Sequence, residues 1–187
     1  MKPPVDVRKS RTTLFSSIGI ETGSLCNRHC YFCPNVYATR ADEWMPDELF
    51  AKVIGDLVAL RFKGRVELYI YNEPTRDPRL LDMISQVRAR LPRACIMINT
   101  NGDYFKSVRD VSRLFDYGLN QLQVNVYNAA EAPGADKGKV QRGAKASLKR
   151  YATIKAWLDS MPGVDQGASL YQHVSPRKRV AKVVKKW

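Results

Sequence analysis

The sequence predicts an α/β fold: a parallel sheet with helical crossovers, open or closed into an incomplete barrel of about five βα units. Two observations predict it. Short β-rich runs alternate four or five times with stretches whose apolar residues recur at helical spacing. The length of 187 residues suits one compact domain with an apolar core and is short for two. Alternation of this kind places the strands parallel, with right-handed helical connections.

The strands read over 14–21, 66–71, 94–99 and 119–126, with a fifth over 168–174. Between the first two, Leu49, Phe50, Val53, Ile54, Leu57 and Val58 fall on one helical face. Leu80, Leu81, Ile84, Val87 and Leu91 form a second such face, followed by Val108, Val111, Leu114 and Phe115, then by Leu148, Tyr151, Ile154 and Leu158. A polar link covers 37–45. Residues 129–143, rich in Gly, Ala and charge, read as a flexible loop, either a cover for a site or a surface connection. The whole of 1–187 reads as a single domain.

The formal net charge is +13, and residues 131–187 hold 13 Lys or Arg against four Asp or Glu. Within 175–187, Val180, Val183, Val184 and Trp187 share a helical stripe flanked by Arg and Lys, which predicts a basic C-terminal helix or tail. Such a helix packs its stripe on the sheet, contacts nucleic acid or another anionic substrate, or adheres to an anionic membrane. No apolar run is long enough to span a bilayer, and the opening residues MKPPVDVRKS have no apolar stretch of the secretory kind. A cytoplasmic protein with reduced thiols is expected.

Three of the four cysteines, Cys26, Cys30 and Cys33, lie within eight residues directly after the first strand. That places them at a strand's carboxyl end, where α/β sheets build ligand sites. Three soft thiolates suit an iron–sulfur cluster with one iron open to another ligand. A zinc site is the rival. It wants four closed ligands, but His29 adjoins Cys30, and Cys95 and His173 are remote in sequence.

The run CNRHCYFC resembles the CxxxCxxC loop of the radical S-adenosylmethionine superfamily, down to an aromatic, Phe32, before the third cysteine. The resemblance implies a partial TIM-like barrel, with a [4Fe-4S] cluster on Cys26, Cys30 and Cys33. It also implies S-adenosylmethionine as the second cofactor, cleaved reductively to a 5′-deoxyadenosyl radical that abstracts hydrogen from substrate. Phe32 would lie near the adenine. After the second strand, Tyr71-Asn72-Glu73-Pro74 is similar to the family's GGEP segment, whose backbone binds the methionine amino group, although Tyr71 and Asn72 replace the two glycines. Thr100-Asn101-Gly102 looks like the family's TNG turn. Asn125 and Tyr127, with Asn128, end the fourth strand where relatives place a polar group against the ribose, and Asn125 is the best candidate.

These matches cover 14–128 in order. Beyond 130 the resemblance fades, with no GxIxGxxE segment, no sixth βα unit and no second cysteine cluster. An electron donor of flavodoxin or ferredoxin type is implied, and a protein partner is a candidate for closing the open barrel. The leading expectation is therefore a radical enzyme acting on an anionic substrate, whether a small molecule, a nucleotide or a nucleic-acid base, by modification or isomerisation. Its alternative is a metal-stabilised nucleic-acid-binding module without catalysis.

Overall fold

Apolar residues at every second position give the central strands one face that must be covered, and the amphipathic helices between them cover it. The computed structural model describes residues 15–30, 32–127, 137–165 and 179–186. Its elements are β1 Ser17–Gly19, α1 Asp47–Ala59, β2 Arg65–Glu67, α2 Leu80–Arg90, β3 Cys95–Thr100, α3 Val108–Asp116, β4 Gln121–Tyr127, α4 Lys137–Ser160, β5 Val164–Asp165 and β6 Arg179–Lys186. All five strand pairings are parallel, in the order β1-β2-β3-β4-β6-β5. The α/β architecture of parallel strands and helical crossovers, a partial TIM-like barrel, is as the sequence predicts.

The register Val66↔Ile96 and Ile98↔Leu122 aligns one face of the sheet. On it, Val66, Leu68, Ile96, Ile98, Leu122, Val124 and Val126 are buried in one cluster with Phe50, Ile54, Met83, Ile84, Val87, Leu114 and Ile154 of the helices. Each such side chain removed from water contributes about 1.5–3 kcal/mol. Local signals set the helix starts. Asp47 and Glu48 occupy the first turn of α1, where carboxylates complement the helix dipole. The Ser107 N–H donates to the Asp110 carboxylate at 2.8 Å at the start of α3.

Two sequence expectations are corrected. Residues 137–143, read as part of a flexible loop, belong to α4, which begins at Lys137; 129–136 lie outside the described residues, as does the strand read at 168–174. Residues 179–186, read as a basic helix, are the strand β6, paired with β4 along seven residues from Gln121↔Val180 to Tyr127↔Lys186 and with β5 at Val164↔Arg179. Valine is β-branched, and a short run of valines among lysines fits either period, so a neighbouring strand with a free edge decides the outcome.

The turn after β3 depends on Gly102. Its φ is +73°, and an added Cβ would sit 2.7 Å from Val124 Cγ1 and 3.0 Å from Ile154 Cδ1. Gly163, before β5, has φ +74° with no atom within 4 Å of such a Cβ. Gly163→Ala therefore loses only the backbone preference, about 1–2 kcal/mol. Gly102→Ala adds overpacking and is expected to cost roughly 2–4 kcal/mol. Thermal denaturation of the two variants checks this: equal shifts in midpoint would show that the Val124–Ile154 contact carries no constraint.

Candidate functional site

The segment leading out of β1 is fixed before it reaches the cysteines. Gly23 bridges Trp44 in antiparallel fashion, and an added Cβ at Gly23 would meet the Trp44 ring at 2.3 Å, so the indole requires glycine there. The Ser24 hydroxyl donates to the Ala41 carbonyl at 2.7 Å and accepts from the Glu43 N–H at 2.9 Å. The Met45 N–H donates to the Thr22 carbonyl. The polar link thus forms a strap along 22–24. Arg40 closes it with a two-pronged bond to Glu21 at 2.6 and 2.8 Å.

The Tyr71–Pro74 turn is tied to the same segment. The Tyr71 N–H donates to Glu21 Oε1 at 3.1 Å, and the Glu73 N–H to the Leu25 carbonyl at 2.9 Å. Asn72, where the family pattern has glycine, is buried and spends its amide inside the fold: Nδ2 donates to Thr22 Oγ1 and Oδ1 accepts from the Ile70 N–H, both at 3.1 Å. Pro74 is buried and begins a short 3-10 turn.

Glu73 is only 3% exposed. One carboxylate oxygen accepts from the N–H and hydroxyl of Thr75 and from the Thr100 hydroxyl; the other accepts from the Asn101 N–H at 2.8 Å. Burial raises the Glu73 carboxyl, and these donors oppose the rise. Glu73, Thr100 and Asn101 are thus brought together as one knot between the turns after β2 and β3. The Asn101 side chain continues it, donating to Asn27 Oδ1 at 2.9 Å, one residue from Cys26.

Asn27 and Arg28 lie inside the cysteine loop, and both bond Asp103. Asn27 Nδ2 donates to Asp103 Oδ2 at 2.9 Å, Arg28 spans both carboxylate oxygens, and Arg150 of α4 pairs with the same carboxylate. Burial alone would raise the Asp103 carboxyl; the Arg28 bonds and charge, with Arg150, outweigh it and hold the group below the usual carboxylate range. Asn27, Arg28, Asp103 and Arg150 are functional neighbours that the sequence reading did not single out. Only the position of Asn27 and Arg28 between two cysteines could have pointed to them.

Cys26, Cys30 and Cys33 are free thiols of intermediate exposure on this loop. Burial raises the Cys26 and Cys30 thiols. The Arg28 N–H reaches Cys26 Sγ at 3.4 Å, and Arg76 donates to the Cys26 carbonyl at 3.3 Å. Among the described residues, no three His, Cys, Asp or Glu side chains gather about one point as a mononuclear ion requires. Three soft thiolates of one loop suit an iron–sulfur cluster in which each thiolate takes its own iron. A cavity of about 500 Å³ adjoins the loop, lined by Cys26, Asn27, Arg28, Arg40 and Arg76 among others.

The other expected residues are distributed as follows. Phe32 is half exposed beside Cys33. Asn125, 1% exposed, is not an open strand-end amide: it donates to Asn99 Oδ1 and accepts from Gln123 Nε2. The backbone of Tyr127 ends β4, while its side chain, Asn128 and His173 are outside the described residues. Cys95 begins β3, at the end away from the cysteine loop, with its thiol pushed up to about 11 by burial. It is a core residue.

Because Asp103 holds two guanidiniums and the cysteine loop, Asp103→Asn is expected to cost about 2–3 kcal/mol, lowering the thermal midpoint by roughly 5–10 °C. A depressed carboxyl stabilises the fold above its unfolded pKa of about 4 and loses that contribution as pH falls below it. The midpoint should therefore drop between about pH 5 and pH 3 more steeply in the native protein than in Asp103→Asn. Parallel pH profiles would dismiss the network as a stabilising element.

Comparison with known proteins agrees with the geometry. The family model described as "Radical SAM superfamily" matches residues 20–164. The S-adenosyl-L-methionine-dependent 2-deoxy-scyllo-inosamine dehydrogenase of Niallia circulans is 32% identical over 137 residues, 68% of this chain and 54% of that protein. The crystal structure of BtrN in complex with AdoMet and 2-DOIA superposes with a TM-score of 0.62 at 24% identity, covering 91% of this chain and 57% of that one. BtrN in an open conformation gives 0.55 at 33% identity over 68% of this chain and 55% of that one. The chain spans about half the length of these relatives. With three thiols at the end of β1, a buried glutamate knot behind them and a family match over most of its length, the chain belongs to the radical SAM superfamily, whose cofactors are a [4Fe-4S] cluster and S-adenosylmethionine.

Proposed function

We propose that this chain carries the radical-generating site of a dehydrogenase that oxidises a carbon bearing a hydroxyl group on a polar substrate. The observation that carries the reading is the cysteine loop. It is bonded through Asn27 and Arg28 to the turn after β3, and through the backbone of Leu25 to the turn after β2. Three strand ends thus hold the loop in one place, as a reaction that must confine a radical requires. The likeness to a dehydrogenase supplies the reaction class.

In this reading Cys26, Cys30 and Cys33 hold the cluster. When bound, the cluster and S-adenosylmethionine would supply a 5′-deoxyadenosyl radical that takes one hydrogen atom from the carbon bearing the hydroxyl; the remaining ketyl would give one electron to a one-electron acceptor outside this chain and one proton to solvent, leaving the ketone. The backbone of Tyr71–Pro74 faces the methionine end, with Asn72 and Glu73 fixing that turn from inside the fold. Phe32, half exposed beside Cys33, would pack near the adenine. Thr100, Asn101, Asn125 and Tyr127 line or support the strand ends that receive the nucleoside. Electrons come from a flavodoxin or ferredoxin type of donor.

An anionic substrate is not part of this proposal. That expectation drew on the positive charge of 131–187 and on a basic helix or tail at 175–187, and 179–186 are instead a strand within the sheet. No helix among the described residues is long and apolar enough to cross a membrane.

Anaerobic reconstitution with iron and sulfide is expected to give a brown protein. With dithionite it should release 5′-deoxyadenosine and convert 2-deoxy-scyllo-inosamine or a related cyclitol to a ketone. Single Cys26, Cys30 or Cys33→Ala variants should lose cluster and cleavage, while Cys95→Ser keeps both. A colourless protein with one zinc per chain and no 5′-deoxyadenosine would refute the proposal in favour of a metal-stabilised module.

A further inference from the structure

The cavity of about 500 Å³ beside the cysteine loop is lined by Cys26, Arg28, Arg76 and Tyr104, but by neither Cys30 nor Cys33 and by no residue of Tyr71–Pro74 or Thr100–Gly102. It is thus distinct from the space between the three thiols and from the turns read as receiving S-adenosylmethionine. It reaches the backbone of a cysteine of the cluster loop, where Arg76 donates to the Cys26 carbonyl at 3.3 Å. Tyr104 also lines a second groove of about 220 Å³, formed with Leu81 of α2, Phe105, and Arg113 and Leu114 of α3. The polar cavity and the more apolar groove therefore meet at Tyr104, which is 40% exposed.

The cations along this surface are of two kinds. Arg28 and Arg40 are neutralised by Asp103 and Glu21. Arg76, Lys106, Arg109 and Arg113 form no salt bridge among the described residues. Of these, Lys106, Arg109 and Arg113 are exposed, and Arg109 and Arg113 stand one turn apart on α3. The carboxylates of the groove are engaged locally. Asp77 is buried against Arg79 at 2.9 Å, and Asp110 accepts from the Lys106 and Ser107 N–H groups, both at 2.8 Å. Uncompensated positive charge around an exposed tyrosine and an apolar groove suits a protein partner, since Tyr and Arg anchor interfaces and opposite charge selects the partner and speeds its encounter. Nucleic acid calls for a basic stripe, whereas Asp42, Asp77 and Asp110 line this surface.

We propose that this surface, centred on Tyr104 and Arg113 with Arg76 at its inner end, docks the electron donor, an acidic protein carrying a one-electron redox group. A donor seated there approaches by way of Cys26 and leaves the turns that receive S-adenosylmethionine uncovered. In the step it serves, the donor loses one electron and the cluster gains it, and no bond forms or breaks. The proposal rests on the reading that Cys26, Cys30 and Cys33 hold a reducible cluster, and it adds the partner's surface chemistry and its place.

Isothermal titration calorimetry of the reconstituted protein tests it, with a bacterial flavodoxin and a bacterial [2Fe-2S] ferredoxin, both acidic, as probes. At least one should bind at about 0.05 M salt and lose about tenfold in affinity at about 0.3 M. Arg113→Glu should weaken that binding about tenfold, the equivalent of about 1.4 kcal/mol. Lys106→Glu, which lies before the helix, should weaken it in the same direction and serves if Arg113→Glu folds poorly. Arg93→Glu makes the same charge change two residues before β3, at the end away from the cysteine loop, and should stay within about twofold of the native protein. Arg113→Glu should also keep dithionite-driven release of 5′-deoxyadenosine while losing release driven by the protein donor. Binding of neither probe, equal losses in the Arg113 and Arg93 variants, or tighter binding of a duplex oligonucleotide would overturn the proposal. Donor binding that Arg113→Glu weakens, with no 5′-deoxyadenosine from any reductant, sinks the function and keeps this inference. Dithionite-driven release without donor binding does the reverse.

Discussion

The carboxylate of Glu73 is the interaction on which the site depends. Buried at the junction of two turns, it accepts from Thr75 on one side and from Thr100 and Asn101 on the other. Besides Glu73, the turn after β2 and the turn after β3 share the weaker Thr75–Thr100 hydroxyl contact at 3.3 Å. Asn101 in turn holds Asn27, so the cysteine loop inherits its position from a group two strands away. A loop that must carry three metal ligands is a poor candidate for self-organisation, because its thiols offer few hydrogen bonds of their own. Its rigidity is supplied by neighbours.

That dependence accounts for the departure from the family pattern at Tyr71 and Asn72. Glycines let a backbone approach a ligand closely. In this chain the Asn72 amide instead bonds back to Thr22 and to the Ile70 N–H, fastening the turn to the strand segment that leads into the cysteines. The side chain points into the fold, so backbone groups of the turn can still face outward. Asp103, in the same turn as Asn101, holds Asn27 and Arg28 against Arg150 of α4. Two carboxylates, one buried and one partly open, therefore brace the loop through the turn after β3.

Much of this was legible in the sequence. The periodicities at 80–91 and 108–115 appear as α2 and α3, and the motifs at Cys26–Cys33, Tyr71–Pro74 and Thr100–Gly102 follow successive strands. What could not be read were contacts between residues far apart in the chain: the Arg28–Asp103 bond joins residues 75 apart, and no local pattern announces it. The error at 179–186 has a different cause. Val180, Val183 and Val184 satisfy a helical stripe, but β-branched residues favour a strand whenever an unpaired ladder is at hand, and β4 offers one. Asn125 was recognised as important by its place, yet its partners Asn99 and Gln123 reveal a relay that only the register makes visible.

The strand order has a consequence for how the molecule comes together. β6 lies between β4 and β5, although β5 precedes it in the chain, and the strand pairing of β5 is with β6. As the chain emerges during synthesis, β1 through β4 can assemble in order, each new strand docking on the last. β5 then arrives with no ladder to join and must wait while the edge of β4 stays open. When 179–186 follow, one segment fills the gap and recruits the waiting strand. The arrival of β6 is thus an insertion rather than an addition, and an open β4 edge is the hazard a nascent chain carries until 179–186 are in place.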